Sequence, residues 1–137
     1  MPKPRILLVD DEDRFRANLK KLLGSQGLEA AALSSGNEAL AELKAHPDAY
    51  DIIVLDIRMP DMDGLATLAA IKQINPEVEV IILSGHASMD AAIDVIKLGA
   101  YDYLMKPCPL EELLLKIDAA YEKKVERQNR RRPSAKE

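Results

Sequence analysis

Four apolar residues, Ile52-Ile53-Val54-Leu55, run without a break into Asp56. The polar and turn-forming stretch Arg58-Met59-Pro60-Asp61-Met62-Asp63-Gly64 follows almost at once. A short, continuous apolar run bounded in this way predicts a strand buried on both faces, which belongs in the middle of a parallel sheet. Asp56 then stands at the carboxyl end of a central strand, where open α/β sheets place their ligands.

The same punctuation recurs along the chain. Arg5 to Val9 is an apolar run ending in Asp10-Asp11-Glu12-Asp13. A helix with Phe15, Leu19, Leu22 and Leu23 on one side follows it. Leu28 to Leu33 is an alanine-rich strand suited to a sheet edge, and Ser34-Ser35-Gly36-Asn37 caps a helix with Ala39, Leu40 and Leu43 inward. After Gly64 comes a stripe of Leu65, Leu68, Ile71 and Ile74. Val78 to Leu83 ends in Ser84-Gly85-His86, and Ser88 caps a helix whose apolar positions are Ala92, Ile93, Val95 and Ile96. Tyr101 to Met105 ends in Lys106-Pro107. The last helix carries Leu110, Leu114, Ile117, Tyr121 and Val125, and is expected to continue toward Arg130. Five strands alternating with five helices predict an α/β fold: a five-stranded parallel sheet, order 2-1-3-4-5, with helices on both faces, as in flavodoxin-like folds.

Charge divides the chain. Residues 122–137 hold seven Lys/Arg against three Asp/Glu, whereas the remainder carries a net −8. An acidic body does not suit direct nucleic-acid binding. The basic end reads as a solvated helix end or linker, disordered beyond Pro133. Residues 5–121 are therefore taken as the domain and 122–137 as an extension. No apolar run approaches the roughly 20 residues of a membrane span. The start of the chain lacks the pattern of a signal peptide, and Cys108 is the only cysteine, so a cytoplasmic location is expected. Cys108 reads as a small apolar residue, and His46 as an exposed helix-end histidine.

The proposed strand order brings Asp10, Asp11, Asp56, Ser84 and Lys106 to one sheet edge. Three carboxylates on neighbouring strands repel one another, by roughly 4 kcal/mol for a pair 4 Å apart at an effective dielectric of about 20. A hard divalent cation offsets this, and Mg²⁺ fits best because it keeps waters that a phosphate can replace. Lys106 and Ser84 beside such a site favour a phosphoryl group, with Asp56 as its nucleophile.

The segments ILLVDDED, IIVLDIRMPDMDGL, VIILSGHAS and GAYDYLMKP resemble the response-regulator receiver domain of two-component signalling, the CheY-like family. The resemblance covers residues 5 to about 121. It implies a regulatory phosphoacceptor rather than an enzyme, acting on nothing but its own phosphorylation and dephosphorylation. Asp56 matches the acceptor of a phosphoryl group from a histidine kinase or phosphotransfer protein. Asp11 matches a direct Mg²⁺ ligand, Asp10 its acidic partner, and the Arg58 backbone carbonyl a further ligand. Ser84 and Tyr103 match the switch pair and Lys106 the phosphate-binding lysine, with a cis Lys106-Pro107 bond. Phosphorylation is expected to remodel the surface of helix 4, strand 5 and helix 5, which then meets an output domain, another protein or a second copy. Arg58 and His86, two residues past the acceptor and the switch hydroxyl, are expected to tune phosphoryl lifetime. The SGHAS and KPCPLEELLLKI segments are similar to receivers of AAA+ transcriptional activators.

Three other readings stand beside this one. A haloacid-dehalogenase-type phosphatase would carry a D-x-D nucleophile on an early strand and a cap. A flavodoxin-like FMN carrier would have a Ser/Thr/Gly phosphate loop where this chain has acids. A receiver-like scaffold would never be phosphorylated.

Overall fold

The computed structural model describes residues 3–59, 62–85 and 88–131. The five sheet strands are β1 (Arg5–Val9), β2 (Glu29–Leu33), β3 (Ile52–Leu55), β4 (Glu79–Ser84) and β5 (Asp102–Met105). Between and after them run α1 (Asp13–Ser25), α2 (Gly36–Ala45), α3 (Gly64–Ile74), α4 (Met89–Lys97) and α5 (Leu110–Arg130). All strands are parallel, in the order β2-β1-β3-β4-β5. A short antiparallel pair, Arg58–Met59 with Met62–Asp63, lies outside the sheet in the loop after β3. The expected fold class and strand order are both observed.

Two cores explain the apolar runs. Leu7, Val9, Ile53, Leu55, Val80 and Ile82 face Ala39 and Leu43 of α2, Leu68 and Ile71 of α3 and Val95 of α4. Their immediate neighbours Ile6, Leu8, Ile52, Val54, Ile81 and Leu83 face Leu19 and Leu23 of α1 and Leu113, Ile117 and Ala120 of α5. Successive side chains of a strand point to opposite faces, so a strand covered on both sides must be apolar throughout. Fully burying one such Ile or Leu contributes about 1.5–3 kcal/mol. The edge strand β2 is half-buried over Ala30 to Leu33 and needs only small side chains.

Helix ends follow local chemistry. The Ser35 hydroxyl accepts the Glu38 N–H at 3.1 Å, and the Ser88 hydroxyl accepts that of Ala91 at 3.2 Å. Each satisfies one of the unpaired amides of a first turn. Asp63 caps α3 through the Leu65 N–H at 3.0 Å. Gly27 and Gly99, with φ of 81° and 106°, end the turns after α1 and α4; that backbone region favours glycine.

Of the apolar positions on α4, Val95 is buried, whereas Ile93 and Ile96 are exposed. Three expectations are corrected. Leu22 of α1 is exposed rather than inward. The buried stripe of α5 is Leu113, Ile117, Ala120 and Lys124, with Leu110, Leu114, Tyr121 and Val125 at its margins. The basic end of the helix is not simply solvated, because Lys124 is buried. Its ammonium donates to Asp51 Oδ1 at 2.6 Å. Arg127 donates to Glu79 Oε2 at 2.7 Å and Glu77 Oε1 at 3.1 Å. Pro133 and the residues around it lie outside the described residues.

Candidate functional site: an acidic pocket at the carboxyl edge of the sheet

Strand register builds the site. Val9 is level with Leu55, so Asp10 and Asp56 emerge side by side one residue later. The ladder continues past the strands: the Asp10 N–H donates to the Leu33 carbonyl at 3.1 Å and the Asp56 N–H to the Val9 carbonyl at 3.0 Å. Ser84 is level with Met105, and the next amide, Lys106 N–H, donates to the Ser84 carbonyl at 2.9 Å. The Lys106-Pro107 peptide bond is cis, as expected. Four strand ends thus deliver two carboxylates, a hydroxyl and an ammonium to one edge.

Lys106 is the centre of the charge arrangement. Its Nζ lies 2.8 Å from Asp10 Oδ2, 2.6 Å from Glu12 Oε1 and 3.4 Å from Asp56 Oδ2. The Phe15 ring sits beneath the ammonium, 4.1 Å from centroid to Nζ, a cation–π contact that fixes its height. Burial disfavours the charged lysine, but the hydrogen bonds to Asp10 and Glu12 outweigh it and hold the ammonium above the usual lysine range. Asp10 shows the opposite balance. Burial pushes its carboxyl up, and the hydrogen bonds from Lys106 and from the Glu12 N–H only partly offset that. Both carboxylates are oriented by backbone: Asp10 Oδ1 accepts the Glu12 N–H at 2.8 Å, and Asp56 Oδ1 accepts the Arg58 N–H at 2.9 Å.

The mouth is a cavity of about 370 Å³ lined by Asp11, Glu12, Asp56, Arg58, Ser84, Gly85 and Lys106. Asp10 lies beneath it, buried. Ser84 is also fully buried on β4. Tyr103 is half-buried one strand over, level with Ile82. Burial, then the nearby Asp56 charge, raises its phenol above the usual tyrosine range. His86 lies outside the described residues.

Gly64 keeps the loop after Asp56 closed. A Cβ there would lie 2.2 Å from the Ile57 carbonyl oxygen, inside any van der Waals contact. The glycine lets α3 start against the backbone that carries the acid.

The residues present suit a hard divalent cation. Asp10, Asp11 and Asp56 each offer a carboxylate oxygen, and these oxygens lie within 4.8 Å of one another. Four carboxylates, including Glu12, meet the Lys106 ammonium and the Arg58 side chain at this pocket, so acidic groups outnumber basic ones there. An all-oxygen donor set of this kind matches Mg²⁺ chemistry.

Sequence reasoning placed Phe15 on the apolar side of α1 and Glu12 in an acidic run, but assigned neither of them, nor Arg16, to the site. Arg16 donates to the Asp10 carbonyl at 2.7 Å and pairs with Asp13 at 2.8 Å. The available signal was the unbroken acidic run after β1, but nothing in it says which acid reaches a lysine 94 residues away.

A doubly wound parallel sheet that gathers acids, a hydroxyl and a lysine past its strand ends has the architecture of a receiver-type α/β domain. The chain belongs to the response regulator receiver domain family, whose profile matches residues 6–118. It is 38% identical over 131 residues to the DNA-binding transcriptional regulator NtrC of Salmonella typhimurium, covering 96% of this chain and 28% of that protein. It thus spans a little over a quarter of that relative. A receiver domain from Clostridium thermocellum superposes with a TM-score of 0.83 at 37% identity, over 88% of this chain and 96% of the other. The beryllofluoride-activated NtrC4 receiver domain dimer superposes with a TM-score of 0.79 at 37% identity, over 88% and 98%. Receiver domains are regulatory phosphoacceptors of two-component systems rather than classical enzymes, and they bind Mg²⁺ at an acidic pocket.

Proposed function

We propose that this chain takes a phosphoryl group onto Asp56 from the phosphohistidine of a histidine kinase or a phosphotransfer protein. The observation that carries this reading is the meeting of Asp10, Asp56 and Lys106 within hydrogen-bonding range, beside Ser84, from four different strand ends. A carboxylate oxygen of Asp56 attacks phosphorus while the phosphorus–nitrogen bond breaks. The electron pair leaves on the histidine nitrogen, which then takes a proton from solvent. The Arg58 N–H holds the other oxygen and keeps the carboxylate from rotating away. The Lys106 ammonium and the Ser84 hydroxyl face the incoming phosphoryl oxygens. Asp10, Asp11, Asp56 and the Arg58 carbonyl would hold Mg²⁺, which supplies charge neutralisation for those oxygens.

A phosphoryl group adds charge and strong acceptors at one point. Ser84 turns toward the phosphoryl group, and Tyr103 moves into the space behind it. The surface built by α4, β5 and α5 then changes its preferred state. That face already exposes Met89, Ile93, Ile96 and Met105. Apolar side chains clustered this way suit a protein partner, either an output domain of a regulator or a second copy; the NtrC4 relative forms a receiver dimer. Residues 5–121 form the signalling unit in this reading, and the far end of α5, up to Arg130, leads toward whatever it controls. No described helix is long and apolar enough to cross a membrane, and the cytoplasm is the compartment that suits a kinase-driven receiver.

Incubation with acetyl phosphate and Mg²⁺ followed by intact-mass measurement tests the acceptor. One phosphoryl adduct is expected on the wild type and none on Asp56→Asn. A wild type without an adduct overturns the reading. The same adduct reports the proposed tuning by Arg58 and His86: the double variant Arg58→Ala/His86→Ala is expected to lose its phosphoryl group several-fold faster than wild type, through an unshielded route for water. An unchanged decay rate removes the tuning role.

A further inference from the structure

We propose that Glu12 is a positioning residue that engages the Lys106 ammonium in the resting protein and must release it before Lys106 can grip a phosphoryl oxygen. This rests on the phosphoacceptor reading of Asp56. Four observations carry it.

An ammonium has three N–H donors and no acceptor. In this structure all three have a carboxylate within reach: Asp10 at 2.8 Å, Glu12 at 2.6 Å and Asp56 at 3.4 Å. A fourth acceptor can bind only if one of these lets go.

The three differ in what release costs. Asp10 and Asp56 are 5% and 6% exposed, and a buried carboxylate stripped of its partner is strongly disfavoured. The Glu12 side chain is 62% exposed, so water replaces the lysine there at little cost. Glu12 is the contact that can open.

Glu12 also occupies a position that local helix chemistry would fill otherwise. It is the N-cap of α1, and its side chain makes no capping hydrogen bond. Ser, Thr, Asp and Asn are the residues that cap well, because their short side chains fold back onto the first-turn amides. Here the longer side chain reaches away from the helix to a lysine 94 residues on. A local rule broken with a specific long-range contact in return marks a functional position.

Finally, Glu12 and Lys106 both line the mouth through which a phosphodonor reaches Asp56. Phe15, one turn further along α1, limits where the ammonium can go by lying beneath it. Lys106 can therefore swing between Glu12 and the acceptor side without leaving the pocket.

Two substitutions separate reach from charge. Glu12→Gln removes the charge. Glu12→Asp keeps it, shortens the side chain by one methylene, and supplies α1 with a better cap. Both are expected to accept the phosphoryl group from acetyl phosphate in Mg²⁺ roughly two- to fivefold faster than wild type, the range an exposed ion pair can shift. Glu12→Asp is expected to do so without any loss of melting temperature. Glu12→Asp at the wild-type rate, or both variants unchanged, overturns the proposal. A second readout needs neither metal nor phosphate. In metal-free protein, the ¹H–¹⁵N signal of the Lys106 ammonium is expected to be protected from exchange in wild type and to lose protection in both variants. Equal protection in all three overturns the proposal. A wild type that forms no adduct at all defeats the acceptor reading, and the ammonium signal then decides the Glu12 contact alone.

Discussion

In a chelating buffer the Asp56→Asn protein is expected to melt about 3–6 °C above the wild type, although in Mg²⁺ it accepts no phosphoryl group. The reason lies in the crowding at the carboxyl edge. Oxygens of Asp10, Asp11 and Asp56 lie within 4.8 Å of one another, a spacing at which each pair of charges repels by roughly 3 kcal/mol at an effective dielectric of about 20. Lys106 offsets part of this, and the exposure of Asp11 screens another part. Neutralising Asp56 should recover about 1–2 kcal/mol of what is left. Asparagine keeps the oxygen that accepts the Arg58 N–H, so the loop after β3 has no reason to move. The longest of the three lysine contacts is the one lost. Adding Mg²⁺ should close or reverse the gap, since a ligand that binds only the folded state stabilises the protein that binds it better. A melting temperature for Asp56→Asn at or below wild type in the chelator would show that the acids are not under strain. A gap that ignores Mg²⁺ would count against the cation site.

How much of this could be read from the chain differs from element to element. The runs before Asp10, Asp56 and Ser84 were legible because strands buried on both faces must be apolar throughout, and the run before Lys106 because it repeats the same strand–helix punctuation at the sheet edge. Their common direction then fixes where the polar residues emerge. The three-acid cluster followed from the order of β1 and β3 alone. The α4 surface was harder. Periodicity locates Ile93 and Ile96 on the helix but does not say whether this molecule covers them; the sheet leaves them open. The α5 stripe was misread by part of a turn for a different reason. Lys124 occupies a buried position, and a lysine in the pattern hides the periodicity that would have marked it. Its partner Asp51 lies 73 residues earlier. Glu12 escaped notice likewise, as one acid in a run of four. Long-range ion pairs carry no local signature, whereas strand burial and strand direction do.

The buried pair on α5 supports the other large expected effect. Lys124→Met should destabilise the protein by about 3 kcal/mol, lowering the melting temperature by about 10 °C. Asp51 joins three strands at the amino edge of the sheet. Its N–H donates to the Arg5 carbonyl at 2.8 Å, and its carbonyl accepts the Glu79 N–H at 3.1 Å. Its carboxylate is buried and held by Lys124 at 2.6 Å and by the Arg5 N–H at 2.8 Å. Methionine fills the space of the lysine stem but leaves that carboxylate with Arg5 only. Removing one partner of a buried pair is costly because the other stays charged in a poor solvent. The double variant Asp51→Asn/Lys124→Met should therefore recover about half of the loss, because no buried charge is stranded. Acid titration gives an independent check. Burial pushes the Asp51 carboxyl up, but the hydrogen bonds from Lys124 and Arg5 outweigh it and hold it below its ordinary value of 3.8. A carboxyl depressed in the folded state stabilises the fold above its unfolded value, and that contribution is lost as pH falls through the folded one. The wild type should accordingly lose stability steeply below about pH 4, and Lys124→Met, which has little of this contribution left, should lose less over the same range. A Lys124→Met protein as stable as wild type at neutral pH would show that the far end of α5 is not anchored through Asp51. In that case Arg127, 2.7 Å from the buried Glu79 carboxylate, would be the remaining candidate for holding the helix to the amino edge of β4.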